Sequence, residues 1–271
     1  MADYHNNRHR DILQLLMVNN TMSVKDLSEK LGVSQVTIRR DLEVLQEQNL
    51  ITKFHGSAMF KHTDTPAALF DLTLQKNGEQ KRAIAKAAAS LIRPNDVISI
   101  DSSSTTYCIS EFMPASFPVK VITNHLLASL KFIGLPNVDV IQLGGVLSPS
   151  TISASDYFAV KLCREFHSDI AFLSASSFSV PSGGFDMIAA YLEMKKTFID
   201  IASRVVFMVD SSKISKKALY VSVPLHNMDT IITDDHIAAD TLSYLEDAGK
   251  ELIIVNAKTK TVAQHINPIS N

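Results

Sequence analysis

From Lys81 onward, short apolar runs alternate with helical stretches, an alternation that few folds accommodate. The runs are Val97–Ile100, Lys120–Thr123, Val138–Leu143, Ile170–Ala175, Val205–Val209, Thr230–Thr233 and Glu251–Val255. A strand buried on one face alternates apolar and polar residues, whereas a strand buried on both is apolar almost throughout. These runs are of the second kind. The expectation for residues 81–271 is therefore an α/β domain, a parallel sheet with helices on both faces, entered through a helix Lys81–Leu91.

The first sixty residues carry a different pattern. A helix is expected over His5–Asn19, with Ile12, Leu15 and Leu16 near one face. Ser23 is placed to cap a second helix, Val24–Leu31, and Gly32-Val33 to turn the chain. Ser34 then caps a third helix that runs to about Asn49 and buries Ile38, Leu42 and Leu45. A strand pair, Leu50–Phe54 and Ala58–Phe60, follows around His55-Gly56-Ser57. This is the spacing of a winged helix-turn-helix, in which the third helix enters the DNA major groove. Periodicity alone equally allows a small helical bundle with a solvated third helix. Residues 61–80 are polar and mixed, and are expected to be a linker with a helical or strand-like piece around Ala67–Leu74.

On the helix-turn-helix reading, Ser34, Gln35, Val36, Thr37, Arg39 and Arg40 face outward. Arginine pairs with guanine or phosphate, glutamine with adenine, and valine with a thymine methyl. Lys53 and His55 in the hairpin are placed for neighbouring phosphates or the minor groove. Residues 1–60 hold seven Lys/Arg and seven Asp/Glu, and the whole chain has net charge −2. DNA contact must then come from positioned side chains, because a broad basic field is absent.

In the second domain, Asp101-Ser102-Ser103-Ser104-Thr105-Thr106 leaves an apolar strand and opens a helix, offering hydroxyls and amides to an anion. Serine-rich loops also cap helices with no ligand at all. Thr123-Asn124 and Gly144-Gly145 end the next two strands, Gly183-Gly184 falls in a later loop, and Lys213 follows another strand in Asp210-Ser211-Ser212-Lys213. Ligands of parallel sheets bind at such carboxyl ends.

Cys108 and Cys163 have no CxxC spacing and read as buried thiols. His5 and His9 have i, i+4 spacing but no third ligand, so neither a metal nor a cofactor is expected. Residues 1–12 are polar and no apolar run reaches membrane-spanning length, so the expectation is a cytoplasmic protein with no membrane partner.

Residues 8–59 resemble the DNA-binding domain of the DeoR family of bacterial sugar-metabolism regulators. The likeness rests on Arg8, Ile12, Ser23-Val24-Lys25-Asp26-Leu27, Leu31, Val33-Ser34, Thr37-Ile38-Arg39-Arg40-Asp41-Leu42 and Leu45. The wing reads His55-Gly56-Ser57-Ala58, with Ser57 where the family has a second glycine, a position that must then avoid positive φ or accept a small cost. Residues 80–255 resemble the family's sensor domain, which is similar in fold to ribose-5-phosphate isomerase. That match rests on Lys81, Ile84-Ala85, Asp101-Ser102, Thr105, Thr123-Asn124, Leu143-Gly144-Gly145, Gly183-Gly184, Glu193 with Lys195, and Asp210–Lys213. Ser103 and Ser104 depart from the family's glycine and threonine, and Ser174 or Ser176 stands at a usual glycine. The resemblance implies a homo-oligomeric repressor, dimer or tetramer, that binds double-stranded operator DNA and a phosphorylated sugar. A sugar-phosphate isomerase fused to a DNA reader is the competing class. It would need a general base among Asp101, Asp186 and Glu193, each of which has a plainer role in capping, turns or ion pairs. A domain that only oligomerises is the third.

Overall fold

The computed structural model describes residues 8, 9, 11–13, 15, 16, 19, 21–48, 50–54, 56–60 and 66–267. The chain forms two compact units, which divide between Thr73 and Leu74.

In the first unit, Arg8, His9, Asp11–Leu13, Leu15, Leu16 and Asn19 are helical. Strand β1 (Thr21–Ser23) leads into helix α1 (Val24–Leu31), and helix α2 (Gln35–Glu47) precedes the hairpin β2 (Ile51–Phe54) and β3 (Ser57–Phe60). The expected caps are formed. Ser23 Oγ accepts from Asp26 N at 3.0 Å and Ser34 Oγ from Thr37 N at 3.2 Å. Gly32 ends α1 in the left-handed conformation, φ 64°. Ile12, Leu16, Leu27, Ile38, Leu42 and Leu45 are fully buried, one stripe from each of the three helices. Strand β1 was not expected. It adds to the hairpin in the order β1-β3-β2, pairing Thr21 with Met59 and Ser23 with Ser57. At the hairpin turn Gly56 carries the positive φ, 76°, and Ser57 is an ordinary strand residue. The missing second glycine thus costs the wing nothing.

The second unit opens with helix α4 (Gly78–Ala89), three residues earlier than the expected Lys81, preceded by helix α3 (Pro66–Gln75). An eight-stranded sheet follows, β4 (Val97–Ile100), β5 (Val119–Thr123), β6 (Val138–Gln142), β9 (Ser168–Leu173), β12 (Ala202–Met208), β14 (Thr230–Asp234), β15 (Glu251–Asn256) and β16 (Thr261–Ile266). Its order is β16-β15-β14-β12-β9-β4-β5-β6, and only β16 runs antiparallel. Alternate residues feed two cores. Ile170, Phe172, Val206 and Met208 pack under α4 and helix α6 (Leu126–Phe132) on one face. Ala171, Leu173, Val205 and Phe207 pack on the other under helices α7 (Tyr157–Cys163), α8 (Ala190–Asp200) and α9 (Ala239–Asp247). The apolar strand runs are explained by these two buried faces.

Gly183-Gly184 is not a strand-end loop. It begins β11 (Gly183–Asp186), which pairs antiparallel with β10 (Ser177–Ser179) and β13 (Tyr220–Pro224) in a separate small sheet. A Cβ on Gly183, φ 114°, would lie 2.4 Å from the Val223 carbonyl oxygen, so these glycines serve close packing. A short hairpin, β7 (Leu147–Ser148) with β8 (Ser153–Ala154), follows β6.

Candidate functional site

Helix α2 turns one face to its core and the other to solvent. Ile38, Asp41, Leu42 and Leu45 are buried; Ser34, Gln35, Val36, Arg39 and Arg40 are exposed and Thr37 half-buried. Val36 is 57% exposed, which for an apolar residue in the first turn leaves a contact surface open. Arg39 Nη2 reaches Gln35 Oε1 at 3.5 Å, so two candidate base readers lie side by side. Lys53 Nζ lies 3.6 Å from Glu43 of α2 and lines a groove between helix and hairpin with Arg39, Phe54 and Gly56. His55 lies outside the described residues, as does His5.

Asp41, inside the Thr-Ile-Arg-Arg-Asp-Leu string, points inward. Arg8 Nη2 donates to its Oδ1 at 2.8 Å, Arg8 Nε also pairs with it, and His9 Nε2 lies 3.1 Å away. Burial pushes the Asp41 carboxyl up, but the Arg8 guanidinium outweighs it and holds the pKa below the ordinary value. The ion pair ties the opening helix to the buried side of α2, while Arg39 and Arg40, next to Asp41 in sequence, stay exposed.

In the second unit the sheet order reverses between β4 and β9: the chain runs outward from β4 through β5 and β6, then returns to the other side of β4. The carboxyl ends of these two strands therefore lie at the switch point, where sheets of this topology take their ligands. Asp101 ends β4 and Ser174 ends β9, and Asp101 Oδ2 accepts from Ser174 N at 3.1 Å. Its other oxygen accepts from Ser103 N at 3.1 Å and Thr106 Oγ1 at 2.7 Å. Ser103 caps the four-residue helix α5 (Ser104–Tyr107), accepting from Thr106 N at 3.2 Å. Ser102 is half-buried; Ser104, Thr105 and Thr106 are buried. Asn124, after β5, donates to Ala154 O at 3.0 Å and Ser155 Oγ at 3.1 Å. Thr123 is buried beside it and accepts from His125 N at 3.2 Å. Among the described residues, Thr105 Oγ1, Asn124 Oδ1 and Ser174 Oγ are buried polar atoms with no hydrogen-bond partner. Native interiors rarely leave such atoms unsatisfied.

Two lysine ammonium groups converge on the end of β9. Lys195 Nζ, from α8, donates to Ser174 O, and Lys213 Nζ donates to Ala175 O at 3.0 Å. Lys195 also lies 2.6 Å from Asp186 Oδ2 and 3.5 Å from Asp101 Oδ2. Asp186 further accepts from Ser176 N at 2.9 Å and Ser222 Oγ at 2.6 Å. Burial works against both charges, yet the mutual attraction wins: Asp186 is held below and Lys195 above its ordinary pKa. Lys213, buried, lies 3.8 Å from Asp210 Oδ2. Asp210 is likewise lowered, the cations of Lys213 and Lys81 outweighing its burial. Burial pushes His125 down to about 4 against the attraction of Asp101, so the ring is neutral at pH 7.

Of the residues singled out in the sequence, Asp101 and Lys213 both reach the segment after β9, Asp101 accepting from Ser174 N and Lys213 donating to Ala175 O. Gly144 and Gly145 follow β6 and are exposed. Gly145, φ 144°, has no room for a side chain, because a Cβ would sit 2.2 Å from Asp156 Oδ1. Sequence reasoning missed Lys195 and His125 as members of this cluster, pairing Lys195 with Glu193 on its own helix instead, and named Asp186 only as a candidate base with a plainer role. The available signal was a lysine at a position with apolar helical neighbours, Met194 and Phe198.

A model of the DeoR-like helix-turn-helix domain matches residues 8–64, and one of the DeoR C terminal sensor domain matches residues 76–235. The chain belongs to the DeoR family. It is a DNA-binding transcriptional regulator, with the family's reader and sensor in the order expected. Relatives in the DeoR comparison include the HTH-type transcriptional regulator GolR of Listeria innocua serovar 6a, 31% identical over 89% of this chain and 95% of that protein. The L-fucose operon activator of Haemophilus influenzae is 28% identical over 89% of this chain and 96% of that one. Among solved structures, ribose 5-phosphate isomerase A of Methanocaldococcus jannaschii is similar over 52% of this chain and 56% of that chain, with 21% identity and a TM-score of 0.38. No helix among the described residues is long and apolar enough to cross a membrane.

Proposed function

We propose that this DeoR-family regulator controls a sugar-utilisation operon as a repressor, and that a phosphorylated sugar held at the carboxyl ends of β4 and β9 releases it from double-stranded operator DNA. The observation that carries this reading is the convergence of the Lys195 and Lys213 ammonium groups on adjacent carbonyls, Ser174 and Ala175, where a sheet of this topology takes its ligand. The hydroxyls of Ser102, Ser104 and Thr105 and the amides of the Ser102–Thr106 turn supply donors to the phosphate. Asp101 and Ser103 shape that turn, and Thr106 locks it to Asp101. Lys213 supplies the charge. Thr123, Asn124, Gly144 and Gly145 form the neighbouring wall for the sugar hydroxyls. On the DNA side Ser34, Gln35, Val36, Thr37, Arg39 and Arg40 meet the major groove, and Lys53 and His55 the adjacent phosphates. Two half-sites are read by a homo-oligomer.

Binding without turnover is favoured by the state of the carboxylates. An isomerase base needs a free lone pair on a group whose pKa approaches neutrality. Asp101 accepts three hydrogen bonds and faces Lys195, and Asp186 accepts from Ser176, Ser222 and Lys195 while its pKa is held down. Both are anchors for neighbouring groups.

A thermal-shift screen of sugar phosphates against the full chain tests the sensing claim. A ligand at 100 times its Kd stabilises the fold by about 2.7 kcal/mol. A panel of pentose, hexose and triose phosphates that leaves Tm unchanged while operator binding is intact would overturn it.

A further inference from the structure

Asn77 stands between α3 and α4 with a left-handed backbone, φ 51°. Asparagine tolerates this region better than most residues, yet its usual duty at a helix start is to cap the first turn. Asn77 does not: its side chain makes no capping bond. Its Nδ2 instead donates to Asp210 Oδ1 at 3.0 Å and to Ser212 Oγ at 2.8 Å, both donor hydrogens going to the loop that carries Lys213. Asp210 is thus held from two sides, by Asn77 on Oδ1 and by Lys213 at 3.8 Å from Oδ2. A ligand phosphate that draws Lys213 away leaves Asp210 with Lys81 as its remaining cation and more dependent on the hydrogen bond from Asn77. Helix α3, which carries the chain across the division at Thr73/Leu74, ends two residues before Asn77.

We propose that Asn77 is a positioning residue of the sensing response, coupling the arrangement of the Asp210–Lys213 loop to the junction at which α3 joins the reader's chain to α4. The inference rests on the reading that this loop meets the anionic group of the effector. Its signature is that a change confined to the loop alters operator affinity through Asn77.

The test is a double-mutant cycle on the full chain, read as the Kd for an operator duplex that the protein itself has selected from a random pool. Asn77→Gly keeps the left-handed backbone at no steric cost and deletes both donors. Ser212→Ala removes one acceptor of Asn77 together with the Ser212 hydroxyl's own bond to Asp210, and leaves Arg39, Arg40 and Lys213 in place. Each single change is expected to shift operator Kd by about fivefold, the low end of allosteric couplings, and the double to shift it no further than either single. Asn77→Asp, which sets a carboxylate against Asp210, is expected to shift it most. A merely structural Asn77 would lower Tm and leave operator Kd unchanged; that result, or independent effects that multiply in the double, overturns the inference. In parallel, hydrogen exchange is followed with inorganic phosphate at millimolar concentration. Protection at residues 210–213 that spreads to residues 77–81 in the native chain, and not in Asn77→Gly, supports the coupling. If phosphate protects neither 101–106 nor 210–213, the sensing site fails as a phosphate site, while the operator cycle still judges Asn77.

Discussion

The Lys195 ammonium meets the Asp186 carboxylate at 2.6 Å, with neither side chain more than 5% exposed. Asp101, 3.5 Å away, makes Lys195 the hub between the end of β4 and the small sheet β10-β11-β13. Removing one partner of a buried ion pair leaves an uncompensated charge, at a cost of about 3–5 kcal/mol. Lys195→Met is therefore expected to lower the sensor's Tm by about 10 °C in a melt at pH 7. Asp186, with its pKa lowered, contributes stability that is complete above its unfolded pKa and lost only as pH falls below it. Lys195, raised, contributes stability that is complete below its unfolded pKa and lost only in strong alkali. The network is thus flat across neutral pH, and a steep dependence between pH 6 and 8 that vanishes in Lys195→Met would contradict this assignment.

His125 supplies the pH dependence instead. Its pKa is lowered to about 4 by burial, whereas the unfolded chain takes up the proton near pH 6.5. A group depressed in this way contributes stability above its unfolded pKa, and loses it as pH falls from about 6.5 to about 4. A shift of about two and a half units corresponds to about 3 kcal/mol. Urea midpoints measured at several pH values over that window should fall for the native chain, and His125→Gln should flatten the slope whatever its own baseline. An unchanged slope in the variant would locate the acid sensitivity elsewhere.

In the reader, consecutive residues have opposite duties. Arg39→Ala or Arg40→Ala should leave Tm unaltered and weaken operator binding by about 1–3 kcal/mol, relaxing one base position for a base-reading contact. Asp41→Ala should do the reverse in order of cause: it strands Arg8, which is buried, and unfolds the reader first. Melts and gel shifts at fixed salt separate the two. Native operator affinity in both arginine variants would remove α2 from the groove.

The parallel sheet was legible because both faces of each strand are buried, which leaves uninterrupted apolar runs such as Ile170–Leu173 and Val205–Met208. Strand β16 was not, since five of its six residues are exposed and an edge strand needs no apolar pattern. The small sheet was hidden by Gly183-Gly184, which reads as a loop until Val223 is seen to leave no room for a side chain. For the site, Asp101 was legible as a strand end followed by hydroxyls, but its inward role was not, because Ser174 and Lys195 reach it from distant parts of the chain. Buried lysines carry little local mark of burial: Lys195 has its apolar neighbours Met194 and Phe198, but Lys81 and Lys213 look like any surface lysine until the carboxylates around them are in place.

Ser104 distinguishes an effector loop from an innocent cap. The cap is Ser103, whose Oγ takes the Thr106 amide, so Ser104 is free of that duty and lies buried in the first turn of α5. If the loop holds phosphate, Ser104→Glu places a like charge at the anion and removes a hydroxyl donor, and the response to the best phosphate from the screen should be lost. Operator binding should persist, giving a repressor that no longer releases. If the loop only caps, a carboxylate in the first turn of a helix is tolerated electrostatically, and what remains is the cost of fitting a larger side chain at a buried position. Ser104→Gln separates those effects, since it has nearly the same volume and no charge. Calorimetric titration of both variants decides the matter: loss of binding in the Glu variant with partial retention in the Gln variant identifies an anion site, whereas equal affinities in the two would take Ser104 out of it.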